Sequence, residues 1–234
     1  MTPTPTLRSL ALPLVAVLVF AGVLTAAGMH ENEVRLDRFD RATVGDALPP
    51  GWDVRPVRGH EAPVTEVVDD PDLGPVLRFR SVSQAAFFGN ELDTRLDAGA
   101  GTLEWSWRVD RTIPNADLRV PEADDALARV MVVFGDRGLF SRPDILFYTW
   151  GNTETVGTDF PSRVSDDLHI IVVRNADDPT GEWVTEERDL LADYRAAFGE
   201  DPEPVTAVGF MSDTENLPTE GTSFLGPVVW VPES

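Results

Sequence analysis

The chain has 234 residues, with 40 acidic against 19 basic ones, a formal charge of −21 and no cysteine. The length suffices for one large β domain with a sizeable core, while the charge argues against sequence-independent binding to nucleic acid or to an anionic membrane surface. Without cysteine, disulfides and thiolate metal sites are excluded.

Every basic residue is arginine, and 42% of the chain is hydrophobic. Periodic apolar segments at that content argue against disorder. The acidity reads instead as a solvated surface of the kind halophilic proteins carry.

Residues 1–28 stand apart in composition. Arg8 is their one charged side chain, an apolar run extends from Leu10 to Leu24, and Thr25-Ala26-Ala27-Gly28 supplies small residues. The pattern predicts a secretory signal peptide cleaved near Ala27 or Gly28, hence export to a periplasm or the cell exterior. The alternative is an anchor left uncleaved. Pro13 and a run shorter than the ~20 residues of a span favour cleavage. Residues 29–234 are then read as a single β-sandwich domain.

Leu48-Pro49-Pro50-Gly51 predicts a turn, with Trp52 capping the core. Residues 64–68 and 75–82 read as strands, the second alternating Leu77 and Phe79 with Arg78 and Arg80. Residues 85–88 and 92–96 continue the β pattern up to a turn at 98–101. Leu103, Trp105, Trp107 and Val109 then alternate with Glu104, Ser106, Arg108 and Asp110, a period of two that predicts a strand with one apolar face. Two indoles on that face form the largest apolar surface of any short segment. Apolar strands follow at 130–134, 145–150 and 169–174. A helix is predicted over 184–198, with Leu190, Leu191, Tyr194, Ala197 and Phe198 on one stripe and Gly199 ending it. Residues 204–211 and 223–231 close the chain as strands. Nine or ten short strands with one helix predict an all-β, jelly-roll-like sandwich of the galactose-binding or carbohydrate-module type.

Three histidines, no Gly-x-Ser-x-Gly elbow and no phosphate loop argue against triad hydrolysis, zinc chemistry and nucleotide binding. Asp124, Asp125, Asp213, Glu215 and Asn216 are oxygen donors in loops, a candidate set for a structural Ca²⁺, although no EF-hand is present. No other cofactor is expected. Arg108, Arg129, Arg174 and Arg188 lie close in sequence to Asp110, Asp125, Glu186 and Asp189, which suggests fork-to-carboxylate pairs across a polar sheet face. On such a face arginine and aspartate can hydrogen-bond sugar hydroxyls while Tyr148, Trp150 or Trp183 stacks on a ring. Arg108, Arg129, Tyr148, Trp150 and Asp213 are therefore the candidate ligand-binding residues, with no catalytic residue assigned. Three readings compete. The first is a non-enzymatic module binding carbohydrate or cell-envelope glycan. The second is a glycan-cleaving enzyme using Asp125 with Asp213 or Glu215, and the third a structural envelope protein whose ion pairs are internal.

Trp105-x-Trp107-Arg108-Val109, Asp124-Asp125 with Ala128-Arg129-Val130, Tyr148-x-Trp150, Arg188-Asp189 with Asp193-Tyr194 and Phe198-Gly199, and Asp213-Thr214-x-Asn216 occur in this order. Over roughly 38–231 this set resembles the bacterial family catalogued as domain of unknown function 3047. Ser223-Phe224-Leu225-Gly226 departs from it where a tyrosine is common near the final strand. The resemblance implies an exported β-sandwich of the galactose-binding or carbohydrate-module type and supplies no established activity or catalytic residue.

The acidic-surface reading predicts that melting temperature rises as salt goes from roughly 0.1 to 1 M, over which the Debye length shrinks from about 10 to 3 Å. Thermal unfolding followed by circular dichroism checks it, and stability that falls with salt contradicts it.

Overall fold

The computed structural model describes residues 33–136 and 142–233. The proposed leader at 1–28 lies outside the described residues, among which no helix is long and apolar enough to cross a membrane. The strands are β1 (Val34–Arg35), β2 (Trp52–Pro56), β3 (Val64–Asp70), β4 (Gly74–Val82), β5 (Ala85–Leu96), β6 (Gly101–Val109) and β7 (Ala126–Phe134). After them come β8 (Asp144–Trp150), β9 (Asp159–Pro161), β10 (Leu168–Arg174), β11 (Val184–Arg188), β12 (Val205–Asp213) and β13 (Glu220–Pro232), with one helix, α1 (Leu190–Phe198), between β11 and β12.

One sheet runs β11-β6-β13-β4-β3, with β1 also on β13; the other runs β2-β5-β12-β7-β8-β10-β9. Consecutive strands such as β4 and β5, β5 and β6, or β12 and β13 fall in different sheets, the hopping of a jelly-roll sandwich. The pairings are antiparallel except β8 with β10, which run parallel.

The period-two pattern of β6 fixes how the layers meet. Trp105 and Trp107 are 1% and 0% exposed. They pack across the interior on the second sheet, Trp105 against Tyr148 at 4.9 Å and Trp107 against Trp150 at 5.4 Å between ring centroids. Leu77 and Phe79 of β4 also point inward, with Phe79 stacked on Phe210 at 4.3 Å. Two buried hydroxyls, Ser81 of β4 and Ser212 of β12, hydrogen-bond at 2.7 Å from one sheet to the other. Gly209 is required where β12 passes β5, because a Cβ there would collide with the Phe88 carbonyl oxygen.

Strands β7, β8 and β10 are buried on both faces. Met131, Phe147, Ile170, Val172 and Met211 form a second apolar cluster on the outer side of their sheet, together with Leu118. Continuous apolar runs mark strands covered on both sides, and here the sequence read three of them.

The helix begins at Leu190, not at residue 184. Residues 184–188 form the edge strand β11, paired antiparallel with β6 from Val184 opposite Trp107 to Arg188 opposite Leu103. β-Branched Val184 and Thr185 favour the extended form, and the edge of β6 offers unpaired backbone groups. Asp189 then caps the helix, accepting from the Ala192 N–H at 2.9 Å. Gly199, at φ 78°, ends it in the left-handed conformation predicted for that position.

Candidate functional site

The side of β6 opposite the indoles carries a charged and aromatic row. Register sets Arg108 beside Phe224 of β13, Phe224 beside Arg78 of β4, and Arg78 beside Glu66 of β3. Arg78 and Glu66 form an ion pair. The Arg108 guanidinium lies 3.9 Å from the Phe224 ring centroid and 5.2 Å from that of Trp183, the residue just before β11. Trp183 meets Phe224 edge-on at 6.1 Å. A guanidinium held against two rings gains cation–π attraction and keeps its fork available.

Two carboxylates border these rings. Asp70, at the end of β3, accepts from Trp183 Nε1 at 2.9 Å. Burial pushes its pKa up, but the indole N–H and the backbone N–H groups of Asp72 and Leu73 outweigh that and hold it below the usual range. Asp110 lies 3.7 Å from Arg108 Nε, an atom that is buried without a hydrogen-bond acceptor. Further along this sheet the face is open, with Val64 65% and Val82 59% exposed.

The five predicted ligand residues do not share a face. Arg108 is in the row just described. Tyr148 and Trp150 are 0% and 2% exposed and belong to the core, so they cannot stack on a ligand. The Tyr148 hydroxyl donates to Asp193 at 2.7 Å, and Asp193 also receives Arg188 Nε and Nη2 at 2.8 and 2.5 Å. Burial, followed by the Asp193 carboxylate, drives the Tyr148 pKa well up. Arg129 and Asp213 meet each other on the second sheet, away from Arg108. Trp183, Phe224 and Asp70 complete the row around Arg108. Phe224 was readable from parity, since Leu225 points inward and its neighbour must point out.

Arg129 is sealed among acids. Its Nη2 lies 2.6 Å from Asp124 Oδ1 and 3.7 Å from Asp213 Oδ2, and each of Arg129 and Asp213 is 4% exposed. Asp124, not the expected Asp125, is its close partner. Asp125 instead ties down the turn after β12, its Oδ1 accepting from Asn216 N and Nδ2 and its Oδ2 from Leu217 N. The five residues proposed for calcium lie in and around this network. Asp124, Asp125, Asp213, Glu215 and Asn216 form no cage; among the described residues no three His, Cys, Asp or Glu stand where they could hold a metal. A guanidinium occupies the place a cation would take, and both oxygens of Asp125 are committed. Of the carboxylates considered for glycan cleavage, Asp125 and Asp213 are 1% and 4% exposed, and Glu215 is partly exposed.

These features define a jelly-roll-type sandwich with a decorated open face. The chain belongs to the family described as Protein of unknown function (DUF3047), which matches residues 50–229. A search among curated proteins finds no match. Among solved structures the chain is similar to a family 11 carbohydrate-binding module from Clostridium thermocellum in complex with a β-1,3-1,4-mixed-linked tetrasaccharide. The identity is 9% over 86% of this chain and 95% of the module, with a TM-score of 0.48. It is also similar to a β-1,2-glucanase from Parabacteroides distasonis, at 13% identity over 86% of this chain and 26% of the enzyme, TM-score 0.47. A third similarity is to the K2 cleaved adhesin domain of Lys-gingipain, at 12% identity over 86% and 98%, TM-score 0.44.

Asp213 yields a pH prediction. Burial, opposed by Arg129 and reinforced by Glu215, Asp125 and Asp124, raises its pKa to about 8. Arg129 sits within ion-pair reach, but Asp124 already holds its fork closely, so desolvation dominates at Asp213. An unfolded aspartate titrates near 3.9. The native state therefore holds the extra proton between about pH 4 and 8, and this group's contribution to stability falls as pH rises through that window. Asp213→Asn should flatten the decline and melt above the wild type at alkaline pH. Melting curves across the window check this, and an unchanged pH slope contradicts it.

Proposed function

We propose that this protein is an exported, non-enzymatic carbohydrate-binding module whose ligand lies on the open face around Arg108. The observation that carries the reading is the grouping of Arg108 and the half-buried Trp183 over the buried ring of Phe224, with the carboxylates of Asp70 and Asp110 at their margin. Sugar rings present C–H faces that pack on aromatic rings and hydroxyls that pair with guanidinium and carboxylate groups. A chain of charge −21 disfavours polyanions, so the glycan it takes is neutral. An open sheet face suits an extended glycan laid across strands.

Affinity gel electrophoresis with neutral soluble glycans tests the reading. Retardation is expected for the wild type, and Trp183→Ala should weaken it about tenfold, a loss of roughly 1.4 kcal/mol. Trp150→Ala is uninformative because that ring is in the core. Wild-type mobility unchanged by every neutral glycan would sink the proposal. Export rests on the composition of residues 1–28, and mass spectrometry of the protein from its own cell envelope or medium should find a mature chain starting near 28. A full-length chain in that fraction would favour the retained anchor instead.

A further inference from the structure

We propose a second ligand site, separate from the sheet face: the cavity between α1, β10 and β11 takes a single neutral polyhydroxylated ring. Its volume is about 250 Å³, just under the roughly 300–1,000 Å³ of pockets for drug-sized ligands and suited to one ring. Arg188, Glu186, Asp193 and Asp159 give it polar atoms, while Ile171 and Ala197 give it apolar wall.

The polar groups are already fixed in place. Arg188 commits Nε and Nη2 to Asp193, whose Oδ2 also takes the Tyr148 hydroxyl. A guanidinium carries five N–H donors, so donors remain for a ligand oxygen, and the Arg188 side chain is 32% exposed. Glu186 is held by Arg174 Nε at 2.7 Å and by Trp107 Nε1 at 3.1 Å. Asp159, with a half-exposed side chain, contacts His169 Nε2 through one oxygen at 3.2 Å. Fixed donors and acceptors beside apolar wall bind with little ordering cost.

Charge selects the ligand class. A carboxylate or phosphate entering the cavity would face Asp193, Glu186 and Asp159 against one partly committed guanidinium. A cation would find Asp193 and Glu186 already paired with Arg188 and Arg174. Hydroxyl groups, each both donor and acceptor, match what is left. The site is independent of Trp183 and does not rest on the glycan reading of the sheet face.

The test follows backbone amides of ¹⁵N-labelled full chain during titration with methyl β-glucopyranoside, glucuronate and glucosamine. The neutral glycoside should shift Gly157, Ala196 and Ala197, with each charged sugar at least about tenfold weaker. Ala196→Trp, at an exposed helix position lining the cavity, should remove those shifts while the melting curve stays in place. Trp183→Ala should leave them intact. The proposal is overturned if no probe shifts these amides, if a charged sugar binds as tightly as the glycoside, or if the shifts survive Ala196→Trp or disappear in Trp183→Ala.

Discussion

The contact of Trp105 and Trp107 with Tyr148 and Trp150 is the constraint from which the rest of the molecule follows. Four large rings, none more than 2% exposed, join the two sheets at one place. All four carry a polar tip, and three of these are satisfied at the margin of the core, Trp150 Nε1 by the Asn175 carbonyl oxygen at 3.2 Å. Trp107 Nε1 donates to Glu186, which in turn holds Arg174; the Tyr148 hydroxyl donates to Asp193, which holds Arg188. Packing of the rings thus decides where the ion pairs settle, and both networks emerge on the same side, beneath α1. Trp105 is the exception, its Nε1 buried without a partner. Its place is secured by shape and apolar contact alone.

The outer faces of the two sheets have different chemistry. The first carries Arg108, Arg78, Glu66 and the rings of Phe224 and Trp183. The second carries Met131, Phe147, Ile170, Val172 and Met211, closed over partly by Leu118 and by Phe160, against which Arg119 stacks at 4.5 Å. Where that apolar layer ends, Arg129 and its acids begin, with Arg129, Asp125 and Asp213 buried and Asp124 partly so. Removing Asp124, the close partner, leaves the Arg129 charge in a poorly solvated place, so that loss is costly even where the net stabilisation of the pair is small. The excess of acidic over basic residues is thus distributed unevenly, with a few carboxylates buried against arginine.

How far this was legible varies residue by residue. The inward face of β6 was plain, because polar residues separate Leu103, Trp105, Trp107 and Val109 and leave one register that buries them. Strand β8 reads as unbroken apolar residues from Ile145 to Tyr148, so its sequence identifies a buried strand without saying which side meets the core. Tyr148 and Trp150 looked like surface platforms for that reason. Residues 184–188 alternate weakly and precede a well-marked helix, and only the free edge of β6 makes them a strand. Nor can adjacency separate Asp124 from Asp125 as the partner of Arg129: one position changes the direction of a side chain, and the turn at 214–217 claims Asp125. The cavity beneath α1 joins residues from 156 to 197, a convergence that no local pattern encodes.

The parallel pairing of β8 and β10 has an architectural consequence. Neighbours that run the same way cannot be joined by a tight reversal, so the chain passes the end of β10, runs back as the edge strand β9 and only then enters β10 from its starting end. That excursion contains Val156, Gly157 and Asp159, which border the cavity, while contributing none of the four rings between the sheets. Substitutions, insertions or deletions along it can reshape one binding wall while the aromatic keystone stays untouched. Topology has therefore placed a long connection, whose length and sequence do not bear on the rings between the sheets, beside a pocket.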